Sequence, residues 1–214
     1  MKKNILIISL SLLSSSLFSQ DSGLDFGVKA GANLSKYTTN FEINGYNPNN
    51  FERKTGFYLG GFMNYEVSDI IKLQPEIVLA AAGSKNTIPI EARGEMEIIT
   101  GDFKTRITDY TLNLPLLAQV YPTKNFYFEA GPQMEYILEK DNNIQENPFD
   151  DFNSEPFQET DMEYDRFDLG AALGLGYLIS ENLSVNARYY AGLLGRDFIE
   201  TKSSVFNLGL NYNL

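Results

Sequence analysis

The sequence contains no cysteine. That excludes disulfides, thiolate metal sites, thiol nucleophiles and a lipid-modified cysteine anchor. It contains no histidine either, which excludes His-based triads, His-bearing zinc sites and imidazole proton shuttles. Basic residues are few: 17 Lys and Arg face 28 Asp and Glu, for a net charge of -11. Phosphate contacts need clustered Lys and Arg, so nucleic acid is not an expected partner. Long apolar runs are missing as well, and no later segment could cross a membrane as a helix. What the chain does have is 17 Gly, 13 Tyr and 15 Phe in 214 residues, a composition that favours a β protein over a helical bundle.

The first residues, MKKNILIISLSLLSSSLFSQ, form a three-part address. Lys2 and Lys3 make a basic start. Ile5, Leu6, Ile7, Ile8, Leu10, Leu12 and Leu13 make a short apolar stretch, and the residues that follow are small and polar apart from Leu17 and Phe18. This reads as a secretory signal peptide over 1–19, cut near Ser19 or Gln20, with the mature domain over 20–214. Losing Lys2 and Lys3 leaves 15 basic against 28 acidic residues, a net charge of -13.

The remaining apolar residues recur at every second position. Eight segments alternate in this way, beginning with Phe26, Val28, Ala30, Ala32 and Leu34 opposite Lys29, Asn33 and Ser35. The last carries Phe206, Leu208, Leu210, Tyr212 and Leu214 opposite Asn207, Gly209, Asn211 and Asn213. Side chains of a strand point alternately to its two faces, so each segment is a strand with one apolar and one polar face. Most run for ten residues or more. Strands of soluble sandwiches average about 5–6, whereas a membrane-crossing strand needs about 9–11. The connections alternate too. Those after strands two, four and six span 68–70, 122–125 and 180–182, while those after strands one, three and five span 38–55, 83–109 and 139–166. Short turns at one end and long loops at the other are the pattern of a transmembrane barrel. The expected fold is all-β: an eight-stranded antiparallel up-and-down barrel, closed by pairing of the first strand with the last. Aromatic residues fall into two groups near the strand ends, as girdles at two interfaces require. Pro75, Pro115 and Pro132 lie inside strands, where bulges or breaks in the ladder are expected.

The segments DFGVKAGANLS, IKLQPEIVLAAAG, LNLPLLAQVYP, FYFEAGPQ and FNLGLNYNL together resemble the PorT-like outer-membrane β-barrel family, a group of porin-family proteins. The resemblance covers essentially the whole mature chain. It implies an eight-stranded barrel in the outer membrane of a two-membrane bacterium. One branch of that family assists a secretion system, and the residues do not assign this chain to it.

Eight strands enclose a bore about wide enough for side chains to fill. The inward positions include Lys29, Glu66, Lys72, Glu76, Glu129, Glu135, Asp168 and Arg188. Lys29, Glu76, Glu129 and Arg188 fall nearest mid-depth. Buried charges must pair, so the expected lumen is an ion-paired plug, with a gated solute path as the alternative. Arg188 is placed to hold Glu76 and Glu129, and Lys29 to offset the remaining carboxylate. Gly170, Gly174 and Gly176 face inward and leave room for larger residues opposite.

The 139–166 connection carries ten acidic residues, nine of them between Glu139 and Glu163, interleaved with Phe149, Phe152 and Phe157. It is read as a solvated loop, with recognition of a basic partner or of Ca²⁺ as the alternative. Asp141, Asn142 and Asn143 begin like a calcium loop, but Gly is missing at the sixth position and Phe152 stands where a Glu is needed. No metal or cofactor site is therefore expected.

The function expected is a non-enzymatic outer-membrane barrel: an anchor, an interaction platform, or an envelope- or secretion-assembly component. Its partners would be outer-membrane lipid and envelope or secretion-system proteins met through residues 139–166. A lipid-modifying barrel enzyme is a rival reading, but such sites rely on a histidine. A soluble lipocalin-like barrel is another, but it needs an apolar lumen.

Overall fold

The computed structural model describes residues 24–39, 51–93, 98–146, 165–196 and 200–214. The predicted signal peptide and residues 147–164 of the acidic connection lie outside these. The strands are β1 (Leu24–Thr38), β2 (Phe51–Ser68), β3 (Ile71–Arg93), β4 (Ile98–Val120), β5 (Phe126–Glu146), β6 (Phe167–Leu178), β7 (Leu183–Gly192) and β8 (Lys202–Asn213). Each pairs antiparallel with the next, and β8 returns to β1 to close the ring. The closing seam runs from Gly27 opposite Asn213 to Thr38 opposite Lys202. No strand edge is left along that seam, as hydrocarbon demands of backbone amides and carbonyls.

The two faces are inverted relative to a water-soluble protein. Ile77 is 63% exposed and Leu173 62%, and Leu59, Leu79, Leu116, Leu208 and Leu210 are likewise on the outside. Inside, Asn33, Gln74, Glu76, Gln119, Glu129, Asp168 and Arg188 are buried. A lipocalin-like barrel would show the opposite arrangement. The register also aligns the outer aromatics. Phe57 lies opposite Ala81, which lies opposite Tyr110, and Tyr136 lies opposite Phe167. At the other end Phe126 pairs with Tyr177, and Leu24 with Tyr65. Phe57 and Tyr65 are eight residues apart on β2. At about 3.3 Å per residue and a tilt of about 40°, that sets the girdles roughly 20 Å apart, close to the apolar band of such barrels.

The connections β2–β3, β4–β5 and β6–β7 are tight turns at one end, where the segments from Asp69, Tyr121 and Ile179 reverse the chain. At the far end the strands run on. β3 and β4 are 23 residues each, about 75 Å if fully extended. Beyond Ala81 and Tyr110 they stay paired out to Arg93 and Ile98, a ribbon that β2 flanks as far as Asn86 and β5 as far as Lys104. The 83–109 segment is thus largely strand rather than the loop expected, and Glu139–Glu146 of the acidic connection belongs to β5. Gly83 suggested a strand end, but the ladder continues through it. Its φ of 132° and the Ile107 carbonyl, 2.2 Å from where a Cβ would stand, require glycine there.

The prolines interrupt pairing without shifting it. Between β3 and β4 the ladder skips from Pro75–Leu116 to Val78–Asn113, and between β4 and β5 from Pro115–Gln133 to Ala118–Ala130, each in unchanged register. The register shifts lie elsewhere, between Arg53 and Phe57 and between Glu66 and Ser68 on β2, and at Lys104 and Tyr110 on β4.

Candidate functional site

Among the described residues the lumen holds two ionic clusters. The first lies at mid-depth, and the structure brings together Lys29, Glu76, Glu129 and Arg188 from β1, β3, β5 and β7. Arg188 donates through Nη1 and Nη2 to both oxygens of Glu76, each at 2.8 Å, and through Nε to Glu129 at 2.6 Å. Lys29 Nζ donates to the same Glu76 carboxylate at 2.9 and 3.0 Å. Glu129 is left to Arg188 and to Gln119 Nε2 at 3.3 Å. The second cation therefore shares Glu76 instead of serving the carboxylate Arg188 holds less fully. Gln74 donates to Glu76 at 2.5 Å, and Gln119 links Gln74 to Tyr121. All four charged residues are at most 4% exposed, and their charges sum to zero.

This geometry depends on a glycine between two charged strands. In register, Glu129 stands opposite Gly174, and Gly174 opposite Arg188. A Cβ on Gly174 would meet Glu129 Oε1 at 2.7 Å and the Ala187 carbonyl at 2.8 Å. Without a side chain there, acid and base meet across the intervening strand.

The second cluster lies nearer the ribbon end. Glu135 and Asp168, directly opposite one another on β5 and β6, converge on Arg196. Arg196 does not come from a strand. It sits in the connection after β7, where Asp165 N donates to its carbonyl at 2.8 Å and its own N donates to the Thr201 carbonyl at 3.1 Å. Its Nη2 donates to Glu135, to Asp168 Oδ2 at 2.9 Å and to Ser203 Oγ at 2.5 Å, while Nη1 lies 3.7 Å from Asp109. Tyr37 donates to Asp109. Burial alone would lower the Arg196 pKa, but the charges of Glu135 and Asp168 outweigh it and raise it. Sequence alternation put Glu135 and Asp168 in the lumen and named Arg188 as the arginine of the strands. It missed Arg196, because period two has no reading for a side chain that enters from a connection. Of the other inward charges, Glu66 and Lys72 pair at 2.6 Å at the short-turn mouth, apart from both clusters.

Between the two clusters lies a cavity of about 30 Å³ lined by Tyr58, Asn113, Gln133, Glu135, Asn186 and Arg188. Tyr58 Oη, Asn113 Oδ1 and Asn186 Oδ1 have no partner among the described residues, so the cavity suits a buried water. Below the mid-depth cluster, a vestibule of about 560 Å³ opens at the short-turn end past Asn64, Lys72, Tyr121, Tyr127 and Asn211.

A closed eight-stranded ring, an apolar exterior with two aromatic girdles and a charged bore together describe a membrane barrel. The family model for the outer membrane protein beta-barrel domain matches residues 18–195. The chain belongs to this outer-membrane β-barrel family. Among solved structures, the barrel is similar to Neisserial surface protein A, at 13% identity and a TM-score of 0.50, over 88% of this chain and 97% of that one. It is also similar to Ail, the attachment invasion locus protein of Yersinia pestis (11% identity, 89% and 98% covered, TM-score 0.44). OprG from Pseudomonas aeruginosa shows 17% identity over 90% of this chain and 97% of that one, with a TM-score of 0.44. At these identities the likeness is one of fold. A comparison with curated proteins found no match. The barrel resides in the outer membrane, and its short turns are the periplasmic ones by the rule for such barrels.

Proposed function

We propose that this barrel is a non-enzymatic anchor with a plugged lumen that holds a β-ribbon above the outer-membrane surface as an interaction platform. The observation that carries the reading is the mid-depth cluster: Arg188 hydrogen-bonds Glu76 and Glu129 across the bore, with Lys29 on the same carboxylate. A solute crossing the barrel would have to part these pairs. Truncating one member of a buried pair costs about 3–5 kcal/mol, which makes the cluster a seal more than a binding station. The ribbon of β3, β4 and β5 extends past the outer girdle, as a surface meant for other proteins would. Envelope or secretion-assembly proteins are the partner class, as the resemblance to the PorT-like family suggests. Residues 139–166, joining the flank of the ribbon to β6, are the segment through which they would dock.

The test has two arms. In planar bilayers the wild-type protein should carry almost no current, and steady, large single-channel currents would replace the plug with a pore. Shortening the ribbon by joining Gly83 to Thr108, which lie opposite each other, together with replacing 147–164 by a short linker, should leave the barrel inserted and remove the proteins it captures in crosslinking from intact cells. An unchanged set of crosslinked proteins would end the platform reading.

A further inference from the structure

Glu135 and Asp168 are cross-strand partners, both at most 3% exposed. Like charges directly opposite one another are destabilising unless a cation lies between them. Asp109 adds a third carboxylate at 2% exposure, and its Oδ1 has no hydrogen-bond partner among the described residues. Tyr37 and Ser203 supply hydroxyls. Gly192 leaves room for the Asp168 carboxylate, since a Cβ there would collide with Asp168 Oδ2. Five side chains from β1, β4, β5, β6 and β8 thus line one pocket at the outer mouth. Its occupant, Arg196, enters from outside the strands. The fit is incomplete, because among the described residues Arg196 Nε and Nη1 donate no hydrogen bond while Asp109 Oδ1 accepts none.

We propose that the outer mouth is a guanidinium-binding pocket, filled by the chain's own Arg196, whose ligand class is the arginine side chain. A planar fork of donors is what carboxylates on the three consecutive strands β4, β5 and β6 can hold together, with Nη2 on Glu135 and Asp168 and Nη1 turned to Asp109. A lysine ammonium would reach one or two of these oxygens and leave the rest unpaired. The strands fix the pocket, and the connection supplies only its occupant. An arginine presented from outside would meet the same carboxylates wherever Arg196 is withdrawn.

Arg196→Ala empties the pocket, and methylguanidinium serves as the probe. In detergent, the variant should unfold at a lower temperature than the wild type. Millimolar methylguanidinium should restore part of that loss along a saturating curve, as binding to the folded state alone requires. Methylammonium at equal ionic strength should not, and adding Glu135→Gln should abolish the rescue. The wild type, already occupied, should not respond. Should the alanine variant fail to insert, Arg196→Gln carries the same titration, and nitrogen-15 NMR of the wild type should show Arg196 side-chain protons exchanging far more slowly than in free arginine. A flat response, equal rescue by both ions, rescue that survives Glu135→Gln, or Arg196 protons exchanging at the solvent rate would each overturn the proposal.

Discussion

Arg188→Ala offers a direct measure of the mid-lumen cluster. The substitution removes three hydrogen bonds of 2.6–2.8 Å and takes the cluster from zero net charge to one excess negative charge. The loss falls unequally. Glu76 keeps Lys29 at 2.9 Å and Gln74 at 2.5 Å, whereas Glu129 keeps, among the described residues, Gln119 alone, at 3.3 Å. An uncompensated buried carboxylate costs about 3–5 kcal/mol. Gln119 and Gln74 also line the periplasmic vestibule of about 560 Å³. Water entering there can hydrate Glu129, which places the expected loss near the lower end, about 3 kcal/mol. Equilibrium unfolding in detergent, read by the mobility difference between folded and unfolded barrel on gels, measures it. Adding Glu129→Gln removes the stranded charge and leaves the neutral pair of Lys29 and Glu76. The double variant should therefore be more stable than Arg188→Ala alone, a non-additivity expected of contacting residues. Stability within about 0.5 kcal/mol of wild type, the range of an ordinary surface substitution, would refute the reasoning.

Other outcomes follow from the same geometry. Leu173→Arg places a cation on the lipid face in the middle of β6, at about 2–4 kcal/mol near the bilayer midplane. Its insertion yield into vesicles should fall well below wild type, and equal yields would contradict the assignment of faces. Gly174→Val puts a side chain where Glu129 must pass. Its unfolding midpoint should drop toward that of Arg188→Ala, and a wild-type midpoint would show that the ion pair does not need the gap. Because the chain has no native cysteine, Ala32→Cys with Leu208→Cys, opposite each other on β1 and β8, should form a disulfide on oxidation. Failure of that pair to crosslink in the inserted protein would argue against ring closure.

Much of this protein was legible without coordinates. Alternation fixes which side chains face lipid, because a strand repeats every two residues and the bilayer tolerates few exceptions. Leu173, Leu208 and Phe57 outside, and Glu76, Glu129 and Arg188 inside, follow from that rule alone. Strand number, the position of the short turns and the seam between β1 and β8 follow from it together with the ban on open edges in hydrocarbon. Sequence could not fix depth across strands. Register determines that Glu129, Gly174 and Arg188 stand in one row, that Lys29 shares Glu76, and that Glu135 meets Asp168. Register is set by the accumulated stagger around the ring, including the shifts near Arg53, Glu66, Lys104 and Tyr110. Nor could local pattern carry β3 and β4 through Gly83, because a glycine that reads as a breaker is also the residue that permits a close approach of two strands. Arg196 was hidden for a related reason. A connection has no period, so only the tertiary structure decides that its guanidinium turns into the bore, where three carboxylates from three strands await a cation.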